Sequence, residues 1–307
     1  MPRPLSGSPA PEPFPTEEPP MAVVPPKTVV VVPTYNERDN LPVLAGLLAD
    51  LPVPNLHLLV VDDDSPDGTG EVADKLVAGA PDTTGVLHRR TKDGLGRAYL
   101  AGMTRALDEG ADVVVQMDAD LSHPASAIPV MLDTLLTENA AAVIGSRYVA
   151  GGSTASEWPR SRRALSAWAN AYVNAILRLG LKDATAGFKA WRAGTLRALD
   201  LDSVHSNGYS FQVEMNHRAV TRGFTLLEVP IHFEERGQGT SKMDLGVQLE
   251  SALTPWRLRF GGGHGRDLTL RDLTLRGRAR RGREDGGNDG PTGRSEADGG
   301  PARVSPR

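Results

Sequence analysis

The sequence predicts an α/β domain with a mostly parallel central sheet and helices on both faces. Two observations predict it. Short apolar, largely β-branched runs recur at Thr28–Val32, His57–Val61, Gly85–His88, Val113–Val115 and Ala142–Gly145, and each leads through a polar segment into apolar residues at helical spacing. Continuous apolar runs suit strands buried on both faces, as in parallel sheets. The acidic and glycine-containing segments all follow strands, at the edge where open α/β sheets bind ligands.

Composition sets the limits. The chain has 307 residues, a net charge of −4 and no cysteine. Residues 1–26 are dense in proline and poor in apolar side chains, which predicts a disordered tail. Residues 27–243 are long enough for one sizeable domain, residues 244–260 form a candidate amphipathic helix, and residues 261–307, rich in Gly and Arg, predict a second, mostly disordered tail. The charge gives no global basic field, and basic and aromatic residues are not interleaved, so no nucleic-acid partner is expected. Without cysteine there are no disulfides and no thiolate metal sites. The start has no basic stretch followed by an apolar core, which together with the cysteine count predicts a cytoplasmic protein. No run of about 18 apolar residues predicts a transmembrane helix.

The elements follow in order. Thr28–Val32 is the first strand and stops at Pro33-Thr34-Tyr35-Asn36-Glu37. Asp39 or Asn40 caps the next helix, with Leu41, Leu44, Leu47 and Leu48 on its inner face. The strand His57–Val61 empties into the acidic loop Asp62-Asp63-Asp64-Ser65-Pro66-Asp67-Gly68-Thr69, and Glu71–Val77 is helical. After Gly85–His88, the segment Lys92-Asp93-Gly94-Leu95-Gly96 opens a helix to about Glu109. A Gly-x-Gly there either lets a phosphate approach backbone N–H groups or is simply a turn. His123-Pro124 starts the helix after the fourth strand, with proline in its first turn. Ser161–Leu179 is a helix with Leu165, Trp168, Ala169, Tyr172 and Ile176 at helical spacing, and Trp168 and Tyr172 are expected in the core. Asp183-Ala184-Thr185-Ala186-Gly187-Phe188-Lys189 reads as a loop, Tyr209–Val220 as a helix and Leu226–Val229 as a strand. The short repeat Asp267–Arg271 and Asp272–Arg276 is too brief to signal a repeat architecture.

Chemistry concentrates at Asp118-Ala119-Asp120. On a strand the i, i+2 spacing puts both carboxylates on one face. Such a pair suits a hard divalent cation that bridges to phosphates; a solvated turn gives the same residues. Arg160, Arg162 and Arg163 oppose the dipole at a helix start, an unfavourable local choice that points to a binding role. The glycine-rich segment Arg236-Gly237-Gln238-Gly239-Thr240-Ser241-Lys242 is basic at both ends and suits closure over a phosphorylated ligand.

Taken together these segments resemble the inverting family 2 glycosyltransferases of the GT-A fold: Pro33-Thr34-Tyr35-Asn36-Glu37, Val61–Thr69, Lys92–Gly96 and Asp118-Ala119-Asp120. Gly145-Ser146-Arg147-Tyr148, Asp183–Phe188, Gly208–Glu214 and Arg236–Lys242 resemble, more narrowly, the polyprenol (dolichol) phosphate mannose synthases. The resemblance covers about Lys27 to Met243, with the motifs in the family's order. It implies GDP-mannose as donor, a membrane polyprenyl phosphate as acceptor and Mg2+ or Mn2+ as cofactor. It places Pro33, Tyr35, Asn36, Glu37, Asp62, Asp63, Lys92, Gly94, Asp118, Ala119, Arg236 and Lys242 around the donor nucleotide, with Asp62 reading the base. It implies Asp118 and Asp120 as metal ligands. The family often has Gln two residues after the second Asp; here Ser122 stands there, so either a water or Ser122 Oγ completes the metal's ligands. Arg147 with Arg162, or with Arg163 in place of Arg162, would hold the acceptor phosphate, and Asp120, Arg147 and Arg236 would act in the transfer itself. The implied place is the inner face of the membrane, held peripherally by the lipid acceptor, a membrane-protein partner or the 244–260 segment. Two other readings stay open at this level: a UDP-sugar-dependent transferase, for instance a glucosyl one, on the same lipid class, and a silent nucleotide-binding scaffold.

Overall fold

The computed structural model describes residues 24–234 and 245–260. The tails, the short repeat and the Arg236–Lys242 segment lie outside the described residues. Strand β1 (Thr28–Thr34) is buried along its whole length, as a run of four valines on a central strand requires. It pairs in parallel with β2 (Leu56–Asp62) and β4 (Val113–Gln116), and β2 pairs in parallel with β3 (Thr84–His88). The two-residue period sorts β1 between two cores. Val30 and Val32 face α1 (Asn40–Ala49) and α4 (Ile128–Thr137) through Leu41, Leu44, Ile128 and Met131. Val29 and Val31 face α3 (Leu95–Asp108) and α7 (Gly208–Thr221) through Tyr99, Met103, Phe211 and Met215. Helix α2 (Thr69–Gly79) connects β2 to β3.

The far half of the sheet departs from a purely parallel order. Strand β5 (Ala142–Ser146) pairs in parallel with β8 (Leu226–Pro230), but β7 (Lys189–Arg192) lies between β4 and β5 and is antiparallel to both. The strand order is β3-β2-β1-β4-β7-β5-β8, with a small parallel pair of β6 (Ser153–Thr154) and β9 (His232–Phe233) beside it. Because β7 runs the other way, its first residue, Lys189, is level with Gln116, the last residue of β4, and with Ile144 in the middle of β5. The segment before it, Asp183–Phe188, is thereby brought to the ligand-binding edge. The sequence reading ends a loop at Lys189 and assigns no element to Ala190–Arg192, because four residues with Trp191 alone of strand-favouring type do not stand out as a strand. Helix α6 (Ala193–Ala198) follows it.

Several local expectations are corrected. Asp39 occupies the cap position of α1 without a side-chain hydrogen bond to the helix, and Asn40 Nδ2 instead donates to Glu37 Oε2 at 2.7 Å. Leu47 is exposed, because the buried stripe is Leu41, Leu44 and Leu48 and Leu47 sits about 100° from Leu48. After Pro124 a 3-10 turn (Ala125–Ala127) comes first, and it is Pro129 that occupies the first turn of α4. Helix α5 (Arg160–Leu177) buries Asn170, Val173, Ile176 and Leu177. Leu165 and Trp168 are exposed, Ala169 and Tyr172 are only half-buried, and of the stripe expected in the core Ile176 alone is buried. Periodicity finds a stripe, but here the buried one is rotated from it. Helix α8 (Leu245–Phe260) packs on α5 and α7. Among the described residues no helix is long and apolar enough to cross a membrane.

Close contact of α3 with the sheet depends on Gly102. A Cβ there would fall 2.4 Å from Val31 Cγ1 and 2.7 Å from Val61 Cγ2. Alanine normally gains about 1 kcal/mol over glycine inside a helix, but overpacking costs about 1–3 kcal/mol. Gly102→Ala is therefore expected to lower the urea midpoint, and a midpoint at or above that of the parent would show that α3 does not press on β1 and β2.

Candidate active site

The loops after β1 and β2 are laced together by short polar side chains. Asn36 has a left-handed backbone, φ 62°, and its N–H donates to Ser65 Oγ. Glu37 N–H donates to Thr69 Oγ1, and Arg38 N–H to Asp67 Oδ2. Burial works against the Asp67 charge, but hydrogen bonds from the Thr69 hydroxyl and N–H and from Arg38 hold its carboxyl below the usual range. Asp62, placed by resemblance against the base, is buried and already accepts from Thr34 Oγ1 at 3.2 Å and from Ser65 Oγ at 2.6 Å. It braces the loop from beneath. Asp63 is equally buried and pairs with Arg89, which also reaches Asp93 at 3.3 Å. Burial pushes the Asp63 carboxyl up, with Arg89 opposing. Lys92 Nζ stands 3.5 Å above the centre of the Tyr35 ring, so the third loop closes on the first through a cation–π contact. Pro33 is buried at the end of β1. Gly94, at φ 101°, adopts a conformation other residues rarely reach, and a Cβ on Gly96 would lie 2.6 Å from Ser206 O. Packing against residues 206–207 thus explains Gly96 without a ligand.

Asp118 and Asp120 lie beyond the end of β4, in a turn with Leu121 at φ 62°, and not on the strand itself. Ala119 between them points into the core. Each carboxylate is oriented by a neutral donor. The Tyr99 hydroxyl, reaching from α3, donates to Asp118 Oδ1 at 2.5 Å. The Ser122 hydroxyl and N–H donate to Asp120 Oδ1 at 2.6 and 3.1 Å. Burial first, and then the Asp118 and Asp120 charges, push the Tyr99 phenol well above its ordinary value, so it stays a donor. His123 Nδ1 accepts from the Asp118 N–H at 3.1 Å, which puts any single ring proton on Nε2. Its ring stacks on Phe188 and meets Phe233 edge-on. Among the described residues no three His, Cys, Asp or Glu side chains converge as a closed metal site. Two oriented carboxylates, with one Asp118 oxygen left by Tyr99, fit a hard cation that takes its remaining ligands from a phosphorylated substrate and water.

Arg147, at the end of β5, is held by Asp183. Its N–H and Nε donate to Asp183 Oδ2 at 3.0 and 2.7 Å, and Nη2 donates to Oδ1 at 2.7 Å and to Thr185 Oγ1 at 3.1 Å. Burial opposes the Arg147 charge, but the bonds to Asp183 win and raise its pKa. Asp183 is placed in turn by Glu228, which accepts from the N–H groups of Lys182 and Asp183. Among the described residues these bonds leave Nη1 as the unused nitrogen of the guanidinium. The Tyr148 hydroxyl and Trp158 Nε1, both buried, have no hydrogen-bond partner among the described residues. Arg162 lies 3.9 Å over the Trp158 ring, Trp158 meets Phe233 edge-on, and Phe233 lies under Arg147. Arg162 is therefore linked through ring contacts to the Arg147 cluster, and both Arg162 and Arg163 are exposed in the first turn of α5.

Beneath both groups lies a buried polar bridge. Lys189 Nζ donates to Gln212 Oε1 at 2.8 Å, and Gln116 Nε2 donates to the same oxygen at 2.8 Å. Lys189 is fully buried, and burial lowers its pKa to about 7 although Asp183 pulls the other way.

A sequence model of the family described as Glycosyl transferase family 2 matches residues 29–200. The chain belongs to this family. Polyprenol monophosphomannose synthase of Mycolicibacterium smegmatis is 46% identical over 236 residues, 76% of this chain and 88% of that one. Undecaprenyl-phosphate mannosyltransferase of Micrococcus luteus is 48% identical over 234 residues, 76% of this chain and 94% of that one. Glucosyl-3-phosphoglycerate synthase from Mycobacterium tuberculosis, solved in complex with Mn2+, UDP and glucosyl-3-phosphoglycerate, matches with a TM-score of 0.58 and 17% identity over 78% of this chain and 82% of that one. The last is a likeness of fold. The family's GT-A architecture is the one described above.

Tyr99, Arg89, His123 and Lys189 contribute to the site without a role assigned from sequence, and Asp183, which opens a quoted motif, has a partner in Arg147 that the motif does not reveal. A tyrosine in the second turn of a helix and an arginine just after a strand have no local signature. Only the closeness of His123 to Asp118 and Asp120 could have drawn attention.

The Arg147–Asp183 pair generates one expectation. Removing one partner of a buried pair costs about 3–5 kcal/mol, whereas replacing both with apolar groups is often neutral. Arg147→Met should destabilise by that amount in denaturant titration, and Arg147→Met with Asp183→Leu should recover most of it; a double variant as weak as the single one would refute the pairing. Lys189 generates another. In the unfolded chain it holds its proton to about pH 10.5, and in the folded chain to about pH 7. Between these values the unfolded state binds more protons, so stability rises with pH, by at most about 1.4 kcal/mol per unit. Lys189→Met removes this slope. Wild type should gain stability relative to the variant between pH 7 and 9, and parallel profiles would contradict the lowered pKa.

Proposed function

We propose that this protein transfers mannose from GDP-mannose to a polyprenyl phosphate, with inversion at the anomeric carbon, giving polyprenyl phosphate β-mannose and GDP. The observation that carries the reading is the 46% and 48% identity, over most of the chain, to two proteins whose names state mannosyl transfer to polyprenyl phosphates. The geometry supports it. Three loops at the carboxyl edge of the sheet bear Tyr35, Asn36, Glu37, Asp63, Lys92 and Gly94, which on this reading would hold the donor nucleotide, with the buried Pro33 and Asp62 beneath them. Asp118 and Asp120 separate these loops from the Arg147 cluster.

The acceptor needs no strong base, because a phosphate monoester already carries about −1.5 to −2 charge near neutral pH. What it needs is orientation. Arg147, locked by Asp183, would present Nη1, and the Tyr148 hydroxyl, Trp158 Nε1 and Arg162 would supply further donors beside it. Attack in line on the anomeric carbon forms the new C–O bond as the bond to the diphosphate oxygen breaks, so the leaving GDP takes the electron pair. Mg2+ or Mn2+ held by Asp118 and Asp120 would neutralise charge on that diphosphate. Arg236 and Lys242 complete the proposal as cations for the donor phosphates. Work on a lipid-linked substrate further implies peripheral attachment at the inner face of the membrane.

The test is transfer of labelled sugar to a detergent-solubilised short-chain polyprenyl phosphate, with GDP-mannose and UDP-glucose offered separately, with divalent metal or with chelator. Metal-dependent transfer from GDP-mannose is expected, with Asp120→Ala at least about 100-fold slower. Transfer only from UDP-glucose would keep the chemistry and overturn the sugar. Nucleotide binding with no transfer from either donor would favour the scaffold.

A further inference from the structure

Most of the aromatic side chains in this protein are covered, but four of them form a connected ridge on its surface. Trp168 stacks on Tyr172, with ring centroids 5.2 Å apart and planes 14° apart. The Tyr172 hydroxyl accepts from Trp256 Nε1 at 2.8 Å and donates to Ala252 O at 2.7 Å. Trp256 stacks on Phe260, with centroids 5.6 Å apart. The ridge thus crosses from α5 to α8 without a break. Its side chains remain open to solvent: Trp168 is 60% exposed, Trp256 48% and Phe260 68%, flanked by Leu165 at 58% and Leu253 at 46%.

Single exposed apolar side chains occur elsewhere, among them Val43, Val130 and Tyr209, but the ridge joins its aromatic rings by direct contact, whereas the other two tryptophans, Trp158 and Trp191, are buried. The ridge is also rigid on its inner side, where Thr254 and Pro255 are buried and Thr254 Oγ1 donates to Ser210 Oγ. Helix α8 is therefore packed on the domain and apolar on its outer side at once. Monomeric surfaces rarely carry contiguous patches of large apolar side chains without a binding role.

Charge selects the occupant. The chain as a whole has net charge −4, yet α5 and α8 together carry five arginines (Arg160, Arg162, Arg163, Arg257 and Arg259) and one acid, Glu250. Tryptophan and tyrosine with an apolar body and a polar edge, bordered by arginine, match the headgroup boundary of a bilayer with anionic lipid. The ridge also leads to the site. Arg162 in the first turn of α5 lies on Trp158, which meets Phe233 beneath Arg147.

We propose that the α5–α8 ridge is the surface by which this protein seats on an anionic membrane, with Trp168, Trp256 and Phe260 entering the headgroup–acyl boundary. The proposal deepens the reading of a lipid-phosphate acceptor given above and rests on it.

The test uses the full chain with phosphatidylcholine vesicles and with phosphatidylcholine–phosphatidylglycerol vesicles. The mixed vesicles should bind the protein more strongly, and salt should weaken the difference. Trp168→Ser/Trp256→Ser/Phe260→Ser should bind them at least about tenfold more weakly, with unchanged transfer to the detergent-solubilised acceptor, which also certifies its fold. Equal binding by this variant overturns the proposal. A second readout keeps the ridge: lipid with brominated acyl chains should quench wild-type tryptophan fluorescence but not that of Trp168→Phe/Trp256→Phe. Equal quenching in both proteins overturns it, as does a wild-type dimer in sedimentation that the triple variant dissolves while vesicle binding persists. If wild type binds mixed vesicles through the ridge but transfers no sugar, the ridge stands and the enzymatic reading falls.

Discussion

Five carboxylates crowd one edge of the sheet, and the architecture of the site depends on how each is held. Burying a carboxylate is costly unless hydrogen bonds replace its water. Asp63 and Asp183 take guanidinium partners, Arg89 and Arg147. Asp62, Asp118 and Asp120 take hydroxyl donors, from Thr34 and Ser65, from Tyr99 and from Ser122. The two solutions differ electrostatically. An arginine cancels charge as well as ordering the carboxylate, whereas a neutral hydroxyl orders it and leaves the charge in place. The carboxylates ordered in the second way include the adjacent pair after β4, where a cation and a diphosphate would meet. The guanidinium-paired ones lie to either side, where they fix loops.

Reversal of β7 is what makes this crowding available. In a purely parallel order, a segment preceding a strand lies at its amino end, away from ligands. Because β7 is antiparallel, Asp183 and Thr185 arrive at the carboxyl edge and meet Arg147 coming from β5. The same reversal drops Lys189 under the site, where it can reach Gln212 on α7. Burial of the amine disfavours its charged form and lowers its pKa, and the two Gln212 carbonyl oxygens take its hydrogen bonds.

These facts mark the boundary of what was legible in the chain. The near half of the sheet could be read residue by residue, because Val29–Val32 and Leu58–Val61 are continuous apolar runs and the acidic loops start where those runs stop. The Asp118–Asp120 pair and Arg147 were also visible as motifs. Their pairings were not, since Tyr99 is 19 positions from Asp118, and Asp183, although it opens a quoted motif, is 36 from Arg147. Pairings at that distance are decided by how helices lie on the sheet and leave no local pattern. Strand β7 was missed because it is only four residues long, with Trp191 alone of strand-favouring type, and is placed by neighbours on both sides. The outward turn of Trp168 was missed for the opposite reason. Its spacing is a good helical stripe, and a stripe alone does not say which solvent it meets.

Aromatic contacts tie the two regions into one body. From the Asp118 backbone, the path runs through His123 to Phe233, then to Trp158 and the Arg162 side chain at the start of α5. Stacked and edge-on rings keep few rotamers, so this path fixes the first turn of α5 relative to the end of β4. The α5–α8 ridge begins on that same helix, six positions after Arg162. A lipid phosphate reaches only as far from a bilayer as its headgroup extends, so a transferase that uses one gains from a seating surface held rigidly to its phosphate-binding side chains. A loosely hinged anchor would hold the protein near the membrane but leave the arginine cluster at variable height. On the proposed reading, joining both through one helix and a line of packed rings would remove that freedom before substrate arrives.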